Sequence, residues 1–134
     1  MRGLIVLIDR LECEHVEVRH ALDGLGLVEQ GDAVALRRAL EAGFEILGPG
    51  LDDHSRDEDD DLFPRIAAMI GQEMVSVFVE EHVRIRALRD QVYASIRQGV
   101  ADFEGCAELA DLLSDHMERE DKALFPSARD VLAD

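Results

Sequence analysis

A fourteen-residue stretch that occurs twice constrains this chain more than any other feature: LDDHSRDEDDDLFP at 51–64 and LSDHMEREDKALFP at 113–126. Leu51, Asp53, His54, Glu58, Asp59, Leu62, Phe63 and Pro64 recur as Leu113, Asp115, His116, Glu120, Asp121, Leu124, Phe125 and Pro126. On a helix, residues four apart lie on one face with Cβ atoms about 5–6 Å apart. Each His-x-x-x-Glu pair can therefore bring an imidazole nitrogen and a carboxylate oxygen onto one metal ion. A shorter echo precedes each copy, EHVEVR at 14–19 and EHVRIR at 81–86, and adds His15 and His82. The order H, HxxxE, H, HxxxE predicts one domain over 1–134, built as a duplicated helical hairpin of about 4–64 and 72–126, with half of a dinuclear site in each half.

Length and composition fit that reading. A chain of 134 residues has the commonest domain size. Its 47% hydrophobic residues include only 4% aromatics, and there are three prolines, which suits helices packed through Leu, Val, Ile and Ala. A net charge of -16, from 30 acidic and 14 basic residues, argues against nucleic acid, whose phosphates demand a basic footprint. The apolar run Leu4 to Ile8 is too short for a signal-peptide core or a membrane span, so a cytoplasmic location is expected.

Helix 1 is predicted over about Leu4 to Leu25, where Leu4, Ile8, Leu11, His15, Val18, Leu22 and Leu25 follow steps of three and four. Asp32 is the expected cap of helix 2, whose stripe runs Leu36, Leu40, Gly43, Leu47, Leu51, His54, Glu58 and Leu62 and is expected to end at Pro64. The Gly48-Pro49-Gly50 sequence predicts a kink or break, because an interior proline lacks an N–H and clashes with the carbonyl four residues back. An irregular stretch is expected over 65–71. Helix 3 follows over about 72–98, with Val75, Phe78, His82, Ile85, Val92 and Ile96 inward and Arg89 snorkelling outward. Asp102 is expected to cap helix 4, with Phe103, Cys106, Ala110, Leu113, His116, Glu120 and Leu124 inward and a short tail after Pro126.

Four helices with short connections predict an all-α, up-down-up-down four-helix bundle around a buried dinuclear metal site. With the histidines level, Cys13 and Cys106 stand roughly 18 Å apart along the axis. Both are therefore expected to be reduced.

The six candidate metal ligands are His15, His54, Glu58, His82, His116 and Glu120. One histidine on an apolar stripe is ordinary core; four, with two glutamates whose burial is costly unless paired or coordinated, are not. Imidazole and carboxylate ligands without thiolate favour iron or manganese, with zinc open, and two histidines plus a carboxylate leave free positions on non-haem iron. Duplication implies two irons, with Glu58 and Glu120 bridging and two histidines on each metal. An oxide, hydroxide or small anion would reduce the remaining positive charge.

His20 lies off the ligand face. Glu14 and Glu81 are placed to accept N–H bonds from histidines of neighbouring helices, or to be ordinary surface glutamates. Glu12 makes an E-x-x-H pair with His15, a spacing found in di-iron bundles, but its repeat partner is Val79. Asp52, Asp53, Asp57, Asp59, Asp60 and Asp61 read as a solvated acidic face rather than an iron-entry path. Leu51 and Leu113 read as a dry lid over the metals, and Phe63 and Phe125 as seals of the bundle end.

From His15 to Pro126 the pattern closely resembles the hemerythrin-like family, also called the HHE cation-binding domain. The resemblance implies a four-helix bundle around a non-haem di-iron centre and metal-ligand roles for the six residues named. Oxygen-carrying members use five histidines, with an H-x-x-x-H pair in the third helix. Here the positions four away from His82 are Phe78 and Arg86, and the second half ends in glutamate rather than aspartate. The set of four histidines and two glutamates is more similar to the domains of eukaryotic iron-sensing and bacterial iron-sulfur cluster repair proteins.

The expected function is a di-iron protein that binds and reacts with a small oxidant (O2, peroxide or NO), with peroxidase-like, catalase-like or NO-related activity. The alternative is an oxygen- or iron-binding sensor or carrier without turnover. A helical bundle that stores metal or binds zinc stands behind both.

Overall fold

The three- and four-residue apolar steps near the N-terminus produce α1, Arg2–Gly26, and every member of its predicted stripe is buried. The computed structural model describes residues 2–133. Asp32 caps α2, Ala33–Ala42, by accepting the Ala35 N–H at 3.0 Å, the expected trade of a side-chain oxygen for a missing helical acceptor. The same rod continues through α3, Leu51–Asp57, and α4, Phe63–Ile70. The third rod is α5, Gln72–Arg97, and the fourth holds α6, Phe103–Arg119, and α7, Phe125–Leu132. Asp102 caps α6 by accepting the Gly105 N–H at 2.8 Å.

The described residues form helices and no strand, so the all-α expectation holds. Side-chain pairs give the direction of the rods. Arg10 reaches Asp57 while Glu14 reaches His54, and Glu81 reaches His116 while Gln91 reaches Asp102. His82 meets Asp59 while Arg89 meets Gly48, and Asp9 pairs with Arg129 while His15 pairs with Asp121. In each set one number rises as the other falls, so neighbouring rods run antiparallel. No helix is long and apolar enough to cross a membrane among the described residues.

Two expectations about helix ends are corrected. The chain does not become irregular after Pro64: α4 carries it to Ile70, and α7 takes the place of the tail after Pro126. Both prolines follow a five-residue π-helical turn, Glu58–Leu62 and Glu120–Leu124, in which the N–H of Phe63 bonds the Glu58 carbonyl and that of Phe125 the Glu120 carbonyl. Each proline then sits in the first turn of a new α-segment, where its missing N–H costs little. The second rod is jointed at Gly43, and the interruption expected at Gly48-Pro49-Gly50 takes the form of a third π turn, Ile46–Gly50, which carries the backbone past the proline. Gly50 is required there, since a Cβ would stand 2.8 Å from the Glu45 carbonyl oxygen.

Arg89 does not snorkel. Its side chain is 7% exposed. It donates to the carbonyls of Leu47 at 2.9 Å and Gly48 at 3.2 Å, and to carboxylate oxygens of Asp52 and Asp90. Those two carbonyls belong to the turn around Pro49, so the guanidinium fork supplies donors where the helical ladder is irregular. Tyr93 acts similarly near the Gly43 joint, its hydroxyl donating to the Leu40 carbonyl at 2.7 Å.

Apolar residues pack in two clusters. One includes Ile8, Leu11, Ile66, Leu124 and Phe125, and the other Leu22, Leu40, Leu47, Ile85 and Leu109. Each fully buried Leu, Ile or Phe contributes about 1.5–3 kcal/mol, which offsets the cost of a buried polar layer of histidine and glutamate.

Candidate metal centre

All six sequence-predicted ligands lie in that buried layer: His15 is 1% exposed, His54 5%, His82 2%, His116 3%, and Glu58 and Glu120 0%. The rods deliver them as the spacing requires: His15 from α1, His54 from α3, His82 from α5, His116 from α6, and the two glutamates from the first residue of a π turn. One convergent group is Glu58, His82, His116 and Glu120, and a second is His15, His54 and Glu120. Within each group the candidate ligand atoms lie within 4.8 Å of one another. Glu120 belongs to both.

The orientation of the rings is set from outside. Each histidine Nδ1 sits 2.8 Å from a carboxylate oxygen: His15 with Asp121, His54 with Glu14, His82 with Asp59 and His116 with Glu81. Two of these bonds stay within a hairpin and two cross between hairpins. An imidazole that donates its Nδ1–H to a carboxylate turns the Nε2 lone pair inward, the arrangement that prepares histidine to ligate a metal. Two such lone pairs, those of His15 and His54, face each other at 3.2 Å between the Nε2 atoms. In that tautomer neither nitrogen can donate to the other.

The glutamates complete the set. Glu58 Oε1 lies 3.0 Å from His82 Nε2 and 3.5 Å from His54 Nε2, while Glu120 Oε1 lies 3.0 Å from His15 Nε2 and 3.5 Å from His116 Nε2. Ligands about 2.0–2.2 Å from one ion at right angles are about 3 Å apart, so these separations fit a shared cation. Both carboxylate oxygens of Glu58, both of Glu120 and Nε2 of His82 are buried without a hydrogen-bond partner. Such groups are costly unless an ion compensates them.

The charge state shows the same demand. Burial pulls His15 and His82 down, but the carboxylates beside them prevail and raise the pair to about 9 and about 10. Burial, reinforced by the like charge of Glu58, pushes Glu120 up to about 7. His116 is lowered chiefly by burial. Protons thus take a cation's place in the metal-free protein.

A pH dependence follows. The pKa values of His15 and His82 lie above the ordinary 6.5, and that of Glu120 above the ordinary 4.5, so the folded chain holds all three protons more tightly than the unfolded one. Stability from the Glu120 proton is full below about pH 4.5 and lost as pH rises through about 7; that from the histidines is full below about 6.5 and lost through about 9 to 10. Metal binding must release these protons. Added metal is therefore expected to raise the melting temperature more at pH 8 than at pH 5, and calorimetry showing equal shifts would contradict this.

Sequence reasoning missed Asp59 and Asp121. Asp59, assigned to the solvated acidic run, instead holds His82, and Asp121 holds His15 and pairs with Arg19. The available signal was their identity in the two copies of the repeat. Glu14 and Glu81 take the inward one of the two roles open to them. Glu12 does not join the site and pairs with Arg129, and His20 is exposed. Both cysteines are free, Cys13 exposed and Cys106 buried.

Phe63 and Phe125 do more than seal the bundle. They stack on His82 and His15 with centroids 6.0 and 5.6 Å apart, and the rings of Phe78 and His116 make a T-shaped pair with centroids 5.3 Å apart. On the other side of the histidines lies a cavity of about 10 Å³, lined by the four rings with Leu51, Ser55, Ile85, Leu113 and Met117. That is room for about one water-sized group. It accords with the dry lid expected of the two leucines.

A family model for the hemerythrin HHE cation-binding domain matches residues 6–128. No curated protein and no solved structure matches the chain. With nearly its whole length matched, and with buried histidine and glutamate groups able to hold a metal, the chain belongs to the hemerythrin HHE cation-binding family.

Proposed function

We propose that this chain is a non-haem di-iron protein that binds a small oxidant, O2, peroxide or NO, and reacts with it. The observation that carries the proposal is the convergence of five buried, unpartnered ligand atoms from Glu58, Glu120 and His82. In this reading His15 and His54 would hold one iron and His82 and His116 the other, with Glu58 and Glu120 completing the ligand set. A site of imidazole and carboxylate without thiolate favours iron over the softer alternatives. Iron there would supply one-electron chemistry and free coordination positions for the oxidant.

The chain's own residues define the rest. Asp59, Asp121, Glu14 and Glu81 fix the imidazoles and raise their basicity. Leu51, Leu113 and Ile85 keep bulk water from the histidine face, and the size of the cavity excludes organic substrates. Neither position four from His82, Phe78 or Arg86, supplies the second histidine of the pair that oxygen carriers have in the third helix, which favours reaction over simple carriage. The hydrogen bonds crossing between hairpins support a single domain built by duplication. The free cysteines suit a reducing, cytoplasmic setting.

The test is peroxide consumption by iron-loaded protein. His54→Ala and Glu58→Ala are each expected to lower the rate at least tenfold, and rates unchanged in both would contradict a reaction at this site. An optical change on oxygenation that reverses fully on deoxygenation, without consumption, would favour a carrier or sensor.

A further inference from the structure

Among the cavity-lining residues paired by the repeat, the two leucines match and the four histidines match, whereas Ser55 corresponds to Met117. Both are 2% exposed. Ser55 stands one helical turn before Asp59, on the face that meets His82; Met117 stands one turn before Asp121, on the face that meets His15. The lining is thus uneven, with a serine on the His82 side and a methionine on the His15 side.

In a cavity of about 10 Å³ any occupant touches its walls. Apart from the imidazoles, Ser55 is the one lining residue whose side chain carries a strong hydrogen-bond donor, because Leu51, Leu113 and Ile85 offer none and a thioether accepts only weakly. A helical serine can turn its hydroxyl onto the carbonyl of the preceding turn, and it is free to rotate when a better acceptor arrives.

We propose that Ser55 is the ligand-orienting residue of this site. Its hydroxyl donates a hydrogen bond to a small ligand held at the metal centre, draws that ligand toward the His82 side and favours anionic ligands over neutral ones. The inference rests on the di-iron reading and adds a discrimination that the six ligands, nearly symmetric between the halves, do not supply.

Azide is the probe, titrated into oxidised, iron-loaded wild-type, Ser55→Ala and Met117→Leu proteins, with the azide stretching band recorded in H2O and D2O. Ser55→Ala removes one oxygen and raises helix propensity, so folding is not at stake. Loss of a hydrogen bond to a charged ligand is expected to weaken azide roughly ten- to hundredfold. The band should shift in D2O for wild type and not for Ser55→Ala, and Met117→Leu should behave as wild type. Equal affinity and an identical band in wild type and Ser55→Ala would overturn the role of Ser55 while leaving the di-iron reading intact. Absence of any azide complex in iron-loaded wild type would overturn both.

Discussion

Glu120→Met is expected to abolish metal binding at both positions while leaving the metal-free fold at pH 8 as stable as wild type, or more stable by up to about 2 kcal/mol. Glu120 is shared by both ligand groups, so one substitution dismantles both. Its carboxylate is wholly buried, its oxygens lack hydrogen-bond partners, and burial with Glu58 beside it raises its pKa to about 7. An apolar side chain of similar size relieves that penalty, while His15 retains Asp121. A glutamate serving the fold alone would behave oppositely, costing about 3–5 kcal/mol when removed. In saturating metal, wild type should gain about 4 kcal/mol at a thousand times the dissociation constant, and the variant should gain none. Chemical denaturation with and without metal reads both effects.

Arg89→Met should destabilise the fold by about 1–3 kcal/mol, the cost of stranding the buried carbonyls, since Asp52 and Asp90 are themselves exposed to solvent. The fork serves the carbonyls of Leu47 and Gly48 together with Asp52 and Asp90, and methionine leaves these acceptors without their partner. Arg89→Lys should recover little, because one ammonium cannot span the same acceptors. Since the π turn it clamps leads directly into Leu51 and His54, metal affinity should fall as well. Arg86→Met, one turn away, should change stability by no more than about 0.5 kcal/mol. A loss at Arg89 no larger than that would refute its role as the clamp of the turn.

The six inward candidate ligands were legible because each occupies a step of an apolar stripe, where a charged or polar side chain has little other reason to stand. Every residue of the predicted stripes of α1 and the second rod is buried. The carboxylates behind the histidines were harder to read, since the partner that decides their role lies on another rod. Asp59 is one aspartate in an acidic run, and only its meeting with His82 sets it apart. The π turns escaped for a related reason. A proline inside a helical pattern normally marks an end, but Pro64 and Pro126 each follow a wider turn that begins at a candidate ligand, Glu58 or Glu120. Their matching distance from the glutamates was the one trace of it in the sequence, and π turns gather at functional sites. Arg89 was misread because arginine stems usually carry the charge to water. Here the carbonyls around Pro49 hold it inside.

Iron quantified per chain in protein purified from iron-replete cells tests the central claim most directly. Two irons per chain, both absent from Glu120→Met, is the predicted result. Protein that folds normally and holds no metal, or that holds zinc and excludes iron under the same conditions, would contradict it.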